Sequence, residues 1–155
     1  MKKLKNDKLP CSDNMIIYTI GFTKKSAEEF FKILAYNQIE QLVDIRLNNK
    51  SQLAGFTKMK DLRYFLKEIA GIEYYYFDYL APTKDLRKLV DDWESYSSEY
   101  LKLLKSRNVL NRLEPDFFQK STVFLCSEPM AEDCHRGILT SYLQEHWHNM
   151  EVVHL

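Results

Sequence analysis

The stretch Val123-Phe124-Leu125-Cys126-Ser127-Glu128 decides how this chain folds and where its chemistry lies. Its apolar, β-branched beginning is typical of a buried strand, and it ends on a thiol and a carboxylate. After a short loop come Cys134-His135-Arg136, where an apolar repeat with helical spacing begins. Ligands of open α/β sheets bind at the carboxyl ends of the strands, so this pattern predicts a site at that edge.

Other apolar runs predict further strands, and stretches of helical periodicity separate them. The predicted strands lie near residues 15–20, 41–45, 72–77 and 121–126, with a final short strand over 151–155. Ser26 and Glu29 form a capping box before the first helix, and Gly71 is the expected C-cap of the second. The apolar repeat from Leu86 to Leu104 predicts either one long helix or two with a break near Ser95 to Ser98.

The alternation of strands and helices indicates an α/β fold. We expect a single domain with a mainly parallel sheet of four to five strands and helices on both faces. This domain is expected over residues 15–155, after a disordered basic leader over residues 1–14.

Composition narrows the classes of function. The 155 residues carry 22 basic and 22 acidic side chains, so the net charge does not indicate nucleic acid as a partner. Nucleic acid could still bind to a local basic patch. No apolar run approaches the ~20 residues of a membrane span. With three cysteines and no secretory signal, the chain is expected in the cytoplasm with reduced thiols. Its oligomeric state stays open.

The segment Cys134-His135-Arg136 has groups for anion binding and for acid–base chemistry. With Asp133 as N-cap, Cys134, His135 and Arg136 fall in a first helical turn, where free N–H groups favour an anion such as phosphate, sulfate or carboxylate. Such a position lowers a thiol pKa, but Glu132 and Asp133 act in the opposite direction, so the ionisation of Cys134 stays open. A small buried cysteine at a helix start is the structural alternative.

Three further side chains join the predicted site. Cys126 is either a reactive thiol or an inert buried one. Glu128 is a candidate general acid or base, or the partner that orients Arg136. Asp44 and Arg46 follow another strand and form either a second arm of the same pocket or a strand-end salt bridge. The predicted catalytic residues are therefore Cys126, Glu128, Cys134 and His135, and the predicted substrate-binding residues are Asp44, Arg46 and Arg136.

The sequence predicts no metal site and identifies no cofactor. Cys126, Cys134 and His135 are of ligand types that zinc accepts, but their spacing does not follow the short paired-cysteine form of a zinc ribbon. Nothing singles out a fourth ligand among Glu128 and the three histidines near the C-terminus, which are His146, His148 and His154.

These motifs resemble the DUF488 family of small bacterial and archaeal proteins. The resemblance rests on Thr19-Ile20-Gly21, on Leu42 to Arg46, and on Leu125-Cys126-x-Glu128 followed by Cys134-His135-Arg136, in this order. It implies an α/β domain and, because the family has no assigned biochemical function, no particular activity. Family members commonly carry His where Phe22 stands, and Leu-Gly-Gly where this chain has Leu80-Ala81-Pro82.

The sequence is compatible with three functions. The first is an enzyme that acts on a small anionic or nucleotide-like substrate through the Cys/Glu/His/Arg cluster. The second is a non-catalytic module that binds phosphate, a nucleotide or nucleic acid. The third is a thiol redox or metal sensor. Two thiols, an imidazole and a carboxylate exceed what anion capture requires, which favours the enzyme.

Overall fold

A computed structural model describes residues 14–50 and 54–155 of the chain. Almost all of the predicted leader, including Cys11, lies outside the described residues. The strands are β1 (Met15–Gly21), β2 (Gln41–Asp44), β3 (Glu73–Tyr76), β4 (Thr122–Cys126) and β5 (Met150–His154). The α-helices are α1 (Ala27–Tyr36), α2 (Met59–Phe65), α3 (Trp93–Ser106), α4 (Val109–Arg112) and α5 (His135–His146). No helix in these ranges is long and apolar enough to cross a membrane.

The five strands form one parallel sheet in the order β3-β2-β4-β1-β5, which confirms the predicted fold class. β4 comes late in the chain but inserts between β1 and β2, so its carboxyl end lies between theirs. The register pairs Cys126 with Gly21 on one side and Leu125 with Asp44 on the other. The two polar sequence clusters therefore meet at one sheet edge.

Helices cover both faces of the sheet, as the uninterrupted apolar runs of the central strands require. On one face α1 and α2 bury an aromatic and aliphatic cluster against inward side chains of β1, β2 and β4. On the other face α3 and α5 pack over Ile17, Val43 and Phe124. Every residue of β2 and of β4 is buried.

The two predicted cap signals are confirmed, one at the start of the first helix and one at the end of the second. Ser26 accepts a hydrogen bond from the Glu29 backbone, and the Glu29 carboxylate accepts one from the Ser26 backbone. A π-helical turn, Leu66–Ala70, continues α2 to Gly71, whose φ of 65° is the left-handed conformation that glycine adopts most easily.

Two helix boundaries differ from the sequence prediction. The Leu86 to Leu104 repeat breaks before Trp93, not near Ser95 to Ser98, because Asp92 accepts a hydrogen bond from the Ser95 backbone and caps α3 there. A 3₁₀ turn, Leu86–Leu89, precedes it. At the site, Asp133 is not the N-cap: it ends another 3₁₀ turn, and Cys134 is the N-cap of α5, whose first residue is His135.

The loop after β4 packs tightly against the end of β1. A Cβ atom placed on Gly21 would lie 1.7 Å from the backbone oxygen of Glu128. Only glycine therefore fits at position 21 without moving the loop, and this contact helps to hold Glu128 over the carboxyl ends of the central strands.

Gly21→Ala is expected to destabilise the protein because the added methyl group must displace backbone atoms. We expect a loss of roughly 1–3 kcal/mol in the free energy of unfolding, as for overpacked sites. Gly55→Ala is the matched control, since a Cβ there would meet no atom of the described residues within 4 Å. Urea denaturation of both variants measures the difference, and equal stabilities would contradict the close packing described.

Candidate functional site

A cavity of about 400 Å³ opens at the carboxyl ends of the central strands. Five of the seven predicted site residues line it, namely Arg46, Cys126, Glu128, Cys134 and His135. The other two, Asp44 and Arg136, are buried behind its wall. The sequence predicted that all seven residues line one pocket. Five of them do, and Asp44 and Arg136 do not.

Cys126, Cys134 and His135 form a compact group at the base of this cavity, which we call the thiol–imidazole cluster. Cys126 Sγ lies 3.4 Å from His135 Nδ1, and Cys134 Sγ lies 3.8 Å from the same nitrogen. All three side chains are buried. Strand β4 delivers the first thiol and the start of α5 delivers the second thiol and the ring.

The orientation of the His135 ring is fixed on its far side. Its Nε2 lies 2.8 Å from the carbonyl oxygen of Ile45, which can only accept, so Nε2 carries a hydrogen and donates it. Nδ1 is then the unprotonated nitrogen and the one nearer to Cys126 Sγ, which also lies 3.8 Å from Nε2 and therefore stands beside the ring. The Tyr100 ring packs edge-on against the imidazole at 5.4 Å, and its hydroxyl donates to the Leu80 carbonyl.

The pKa values of the two thiols are shifted in opposite directions. Burial raises the pKa of Cys126, but hydrogen bonds from Cys134 and the Ser127 backbone N–H and the positive charge of Arg136 outweigh burial, and the pKa lies below its ordinary value. The hydrogen bond to Cys126 and burial raise the pKa of Cys134 well above its ordinary value. In the metal-free protein Cys126 is thus the thiol that ionises first, with Cys134 as its donor.

Asp44 and Arg46 form a buried, two-pronged ion pair directly after β2. Arg46 Nε and Nη2 each donate to an Asp44 carboxylate oxygen at 2.8 Å, and Nη2 also donates to the Thr57 carbonyl. The Tyr74 hydroxyl donates to the same carboxylate at 2.6 Å. Burial and the Asp44 charge raise the pKa of Tyr74, which keeps this hydroxyl protonated. Asp44 thus fixes Arg46, one of the two roles proposed for it from the sequence.

Arg136 is 1% exposed, and its guanidinium bonds to the loop after β4. Nη1 donates to the Glu128 carbonyl at 2.5 Å and Nη2 donates to the Pro129 carbonyl at 3.1 Å. The expected pairing with the Glu128 carboxylate is therefore replaced by a bond to its backbone. Nε donates to the Thr19 hydroxyl, which leaves that hydroxyl free to donate to His154 Nδ1 at 2.6 Å.

The Glu128 side chain is exposed at the cavity, and its carboxylate forms no ion pair or hydrogen bond within the ranges that the structure describes. It is therefore accessible to a molecule in the cavity that the thiol–imidazole cluster also lines.

Several cavity residues were not identified from the sequence. Arg87 lies in the 3₁₀ turn before α3, and Trp93 and Tyr96 lie in the first turn of α3. The rings of Trp93 and Tyr96 stack with their centroids 5.1 Å apart and their planes 11° apart. Arg87 is exposed and forms no ion pair in the described part of the chain. No local motif marks these side chains, because only the packing of α3 on the sheet brings them to this edge.

The thiol–imidazole cluster is also the one group of three metal-ligating side chains found among the described residues. Its three ligand atoms lie within 4.8 Å of one another. Two thiols and an imidazole are donors that zinc prefers. The cluster could thus hold a metal ion as well as react directly.

Comparison with known proteins gives one result. The sequence model of the family described as domain of unknown function DUF488 matches residues 26–143, which include every predicted site residue. No curated protein matches the chain. No solved structure matches it either.

Asp44→Asn is expected to cost about 3–5 kcal/mol of unfolding free energy, because it leaves the buried Arg46 guanidinium without its counter-charge. Asp85→Asn is the control: Asp85 pairs with Lys88 at 3.0 Å on the surface, where ion pairs contribute about 0–1 kcal/mol. Chemical denaturation of the two variants measures the contrast. A loss for Asp44→Asn as small as that of the control would contradict the buried pair.

Proposed function

Since the chain belongs to the DUF488 family, a domain family of unknown function, we propose its function from the geometry of the site. The protein is an enzyme that binds a small anionic substrate in the cavity at the sheet edge. It transforms this substrate with the thiol–imidazole cluster and with Glu128. The observation that carries the proposal is the convergence of two buried thiols, an oriented imidazole, an unpaired carboxylate and two guanidinium groups on a single cavity.

The arginines provide the anion-binding side of the cavity. Arg46 is held by Asp44 and Thr57 through Nε and Nη2, so Nη1 is the nitrogen that its protein contacts leave available. Asp44 neutralises much of its charge, which makes Arg46 a rigid hydrogen-bond donor more than a source of positive potential. Arg87, exposed and without a carboxylate partner in the described chain, supplies that potential.

The charge distribution limits the kind of anion. The carboxylates of Glu128 and Asp133 line the same cavity as the two arginines. A highly charged polyanion would meet repulsion from both. A substrate with one compact anionic group fits better, with that group on the arginines and the rest of the molecule beside the stacked rings of Trp93 and Tyr96.

The remaining polar groups suit the reacting end of such a substrate. Cys126 supplies a sulfur to the cavity, and the His135 ring lies beside it, with Nδ1 at 3.4 Å. Glu128 can donate or accept a proton at the cavity side. Arg136 does not line the cavity. In this proposal Arg46 and Arg87 contact the anion, instead of Arg136 as predicted from the sequence. Arg136 positions the loop that carries Glu128.

A non-catalytic binding module is the second candidate, favoured by the exposed Arg87 beside an aromatic wall. Such a module would need the arginines but neither the free carboxylate nor the thiols. The two candidates therefore differ in whether Cys126 and Glu128 are needed after the anion has bound.

We expect slow turnover of at least one class of generic anionic ester, tested with p-nitrophenyl phosphate, sulfate and a carboxylate-bearing ester. Glu128→Gln should lower that rate by roughly 10²–10⁴, the range for loss of a general acid or base, and Cys126→Ser should abolish it. Glu132→Gln is the matched control, because Glu132 belongs to the same loop but lines a different cavity. Circular dichroism checks that each variant is folded.

The same preparations distinguish the binding module. If sulfate or phosphate raises the melting temperature but no ester is turned over, the protein binds anions without catalysis. If the rate of Glu132→Gln falls as far as that of Glu128→Gln, the role given to Glu128 is wrong.

A further inference from the structure

We infer that Cys126, Cys134 and His135 form a binding site for a zinc-type divalent ion, with one coordination position open to the cavity. This goes beyond the function proposed above and does not depend on it, because a metal site can be catalytic, structural or sensory. The three side chains are buried, and they are the metal-ligating group found in the described chain. Two thiolates would also neutralise a divalent cation at this depth.

The two sulfur–nitrogen distances in the cluster are close to those of a tetrahedral zinc site. With Zn–S of about 2.3 Å and Zn–N of about 2.0–2.1 Å, a tetrahedral angle sets a sulfur–nitrogen distance of about 3.6 Å. Cys126 Sγ and Cys134 Sγ lie 3.4 Å and 3.8 Å from His135 Nδ1, on either side of that value. Cys126 Sγ also lies 3.8 Å from His135 Nε2, so it stands beside the ring and off the Nδ1 lone-pair axis. Binding of an ion therefore requires the Cys126 side chain to rotate and bring its sulfur to the Nδ1 side.

The surroundings orient the ligands as in metal sites. A metal-ligating histidine usually donates its other N–H to a carbonyl or carboxylate, which fixes the ring. His135 Nε2 does this toward the Ile45 carbonyl at 2.8 Å and leaves Nδ1 for the ion.

The protein supplies three ligands and leaves the fourth position open. His146 and His154, two of the sequence candidates for a fourth ligand, bond elsewhere: His146 to the Tyr142 carbonyl and His154 to the Thr19 hydroxyl. The three ligating residues all line the cavity, as does Glu128. Three protein ligands plus water or substrate is the pattern of catalytic zinc, whereas structural sites are closed by a fourth protein ligand.

The spacing of the three ligands along the chain does not follow a known zinc motif. Structural zinc motifs place cysteines close together in short pairs. Here one ligand ends a strand and two begin a helix, and the loop between them folds back over β1 before returning. The parallel register and the close approach of Glu128 to Gly21 bring the two ends together.

Cobalt titration of the full chain tests the site without reading catalysis. The Cys11→Ser variant, freed of metal with a chelator under reducing conditions, is titrated with Co²⁺ in the absence of oxygen. We expect one equivalent to bind, with the thiolate-to-cobalt absorption band and the intense visible bands of a tetrahedral ion, and Zn²⁺ to displace it. The further changes Cys134→Ser and His135→Gln should each abolish this spectrum. His148→Gln is the histidine control and should leave it unchanged.

A second measurement covers variants that fail to fold. In the folded Cys11→Ser protein, one equivalent of Zn²⁺ should protect both remaining thiols from iodoacetamide, as counted by mass spectrometry. The inference is overturned if no equivalent of Co²⁺ binds, if bound Co²⁺ lacks the thiolate band, or if Zn²⁺ leaves both thiols as reactive as before. Because no substrate is used, failure here leaves the turnover experiment as an independent result.

Discussion

The buried guanidinium of Arg136 is the group on which the arrangement of the site depends. A fully desolvated cation is costly unless its donors are satisfied. Here it is satisfied by the carbonyls of Glu128 and Pro129 and by the Thr19 hydroxyl, with no carboxylate bonded to it in the described part of the chain. One side chain thus joins the first turn of α5, the loop after β4 and the middle of β1. Its remaining charge also acts on Cys126.

The sheet topology determines which groups can meet. Because β4 inserts between β1 and β2, the carboxyl ends of these strands lie side by side, and their polar residues have complementary tasks. The residues after β2 provide a rigid arginine, the end of β4 provides a thiol and a carboxylate, and the end of β1 provides the glycine that admits the loop. Helix α3 completes the cavity with Trp93 and Tyr96, and the 3₁₀ turn before it adds Arg87. The resulting cavity is lined by two thiols and an imidazole, by two arginines, and by two stacked aromatic rings.

Local signals in the sequence were sufficient for the strands, the capping box of α1 and the location of the site. Each depends on a few neighbouring residues, such as the apolar run that ends at Cys126 or the Ser26–Glu29 pair. Contacts between distant residues were not predictable in this way. No local pattern indicates that Arg136 bonds to carbonyls, that Tyr74 donates to Asp44, or that Arg87 faces the cavity. These contacts arise only when separate elements pack, and the close approach of two thiols and an imidazole is of the same kind.

In the proposed function, one cavity holds both the thiol–imidazole cluster and the bound anion. Anomalous diffraction from crystals of the protein soaked in selenate can test this, because selenate is a compact anion and selenium can be located independently of the protein density. We expect a selenium peak in the cavity, within hydrogen-bond distance of Arg46 or Arg87 and on the side away from Asp133. Selenium peaks confined to other surfaces, with the cavity free of anion at saturating selenate, would contradict it.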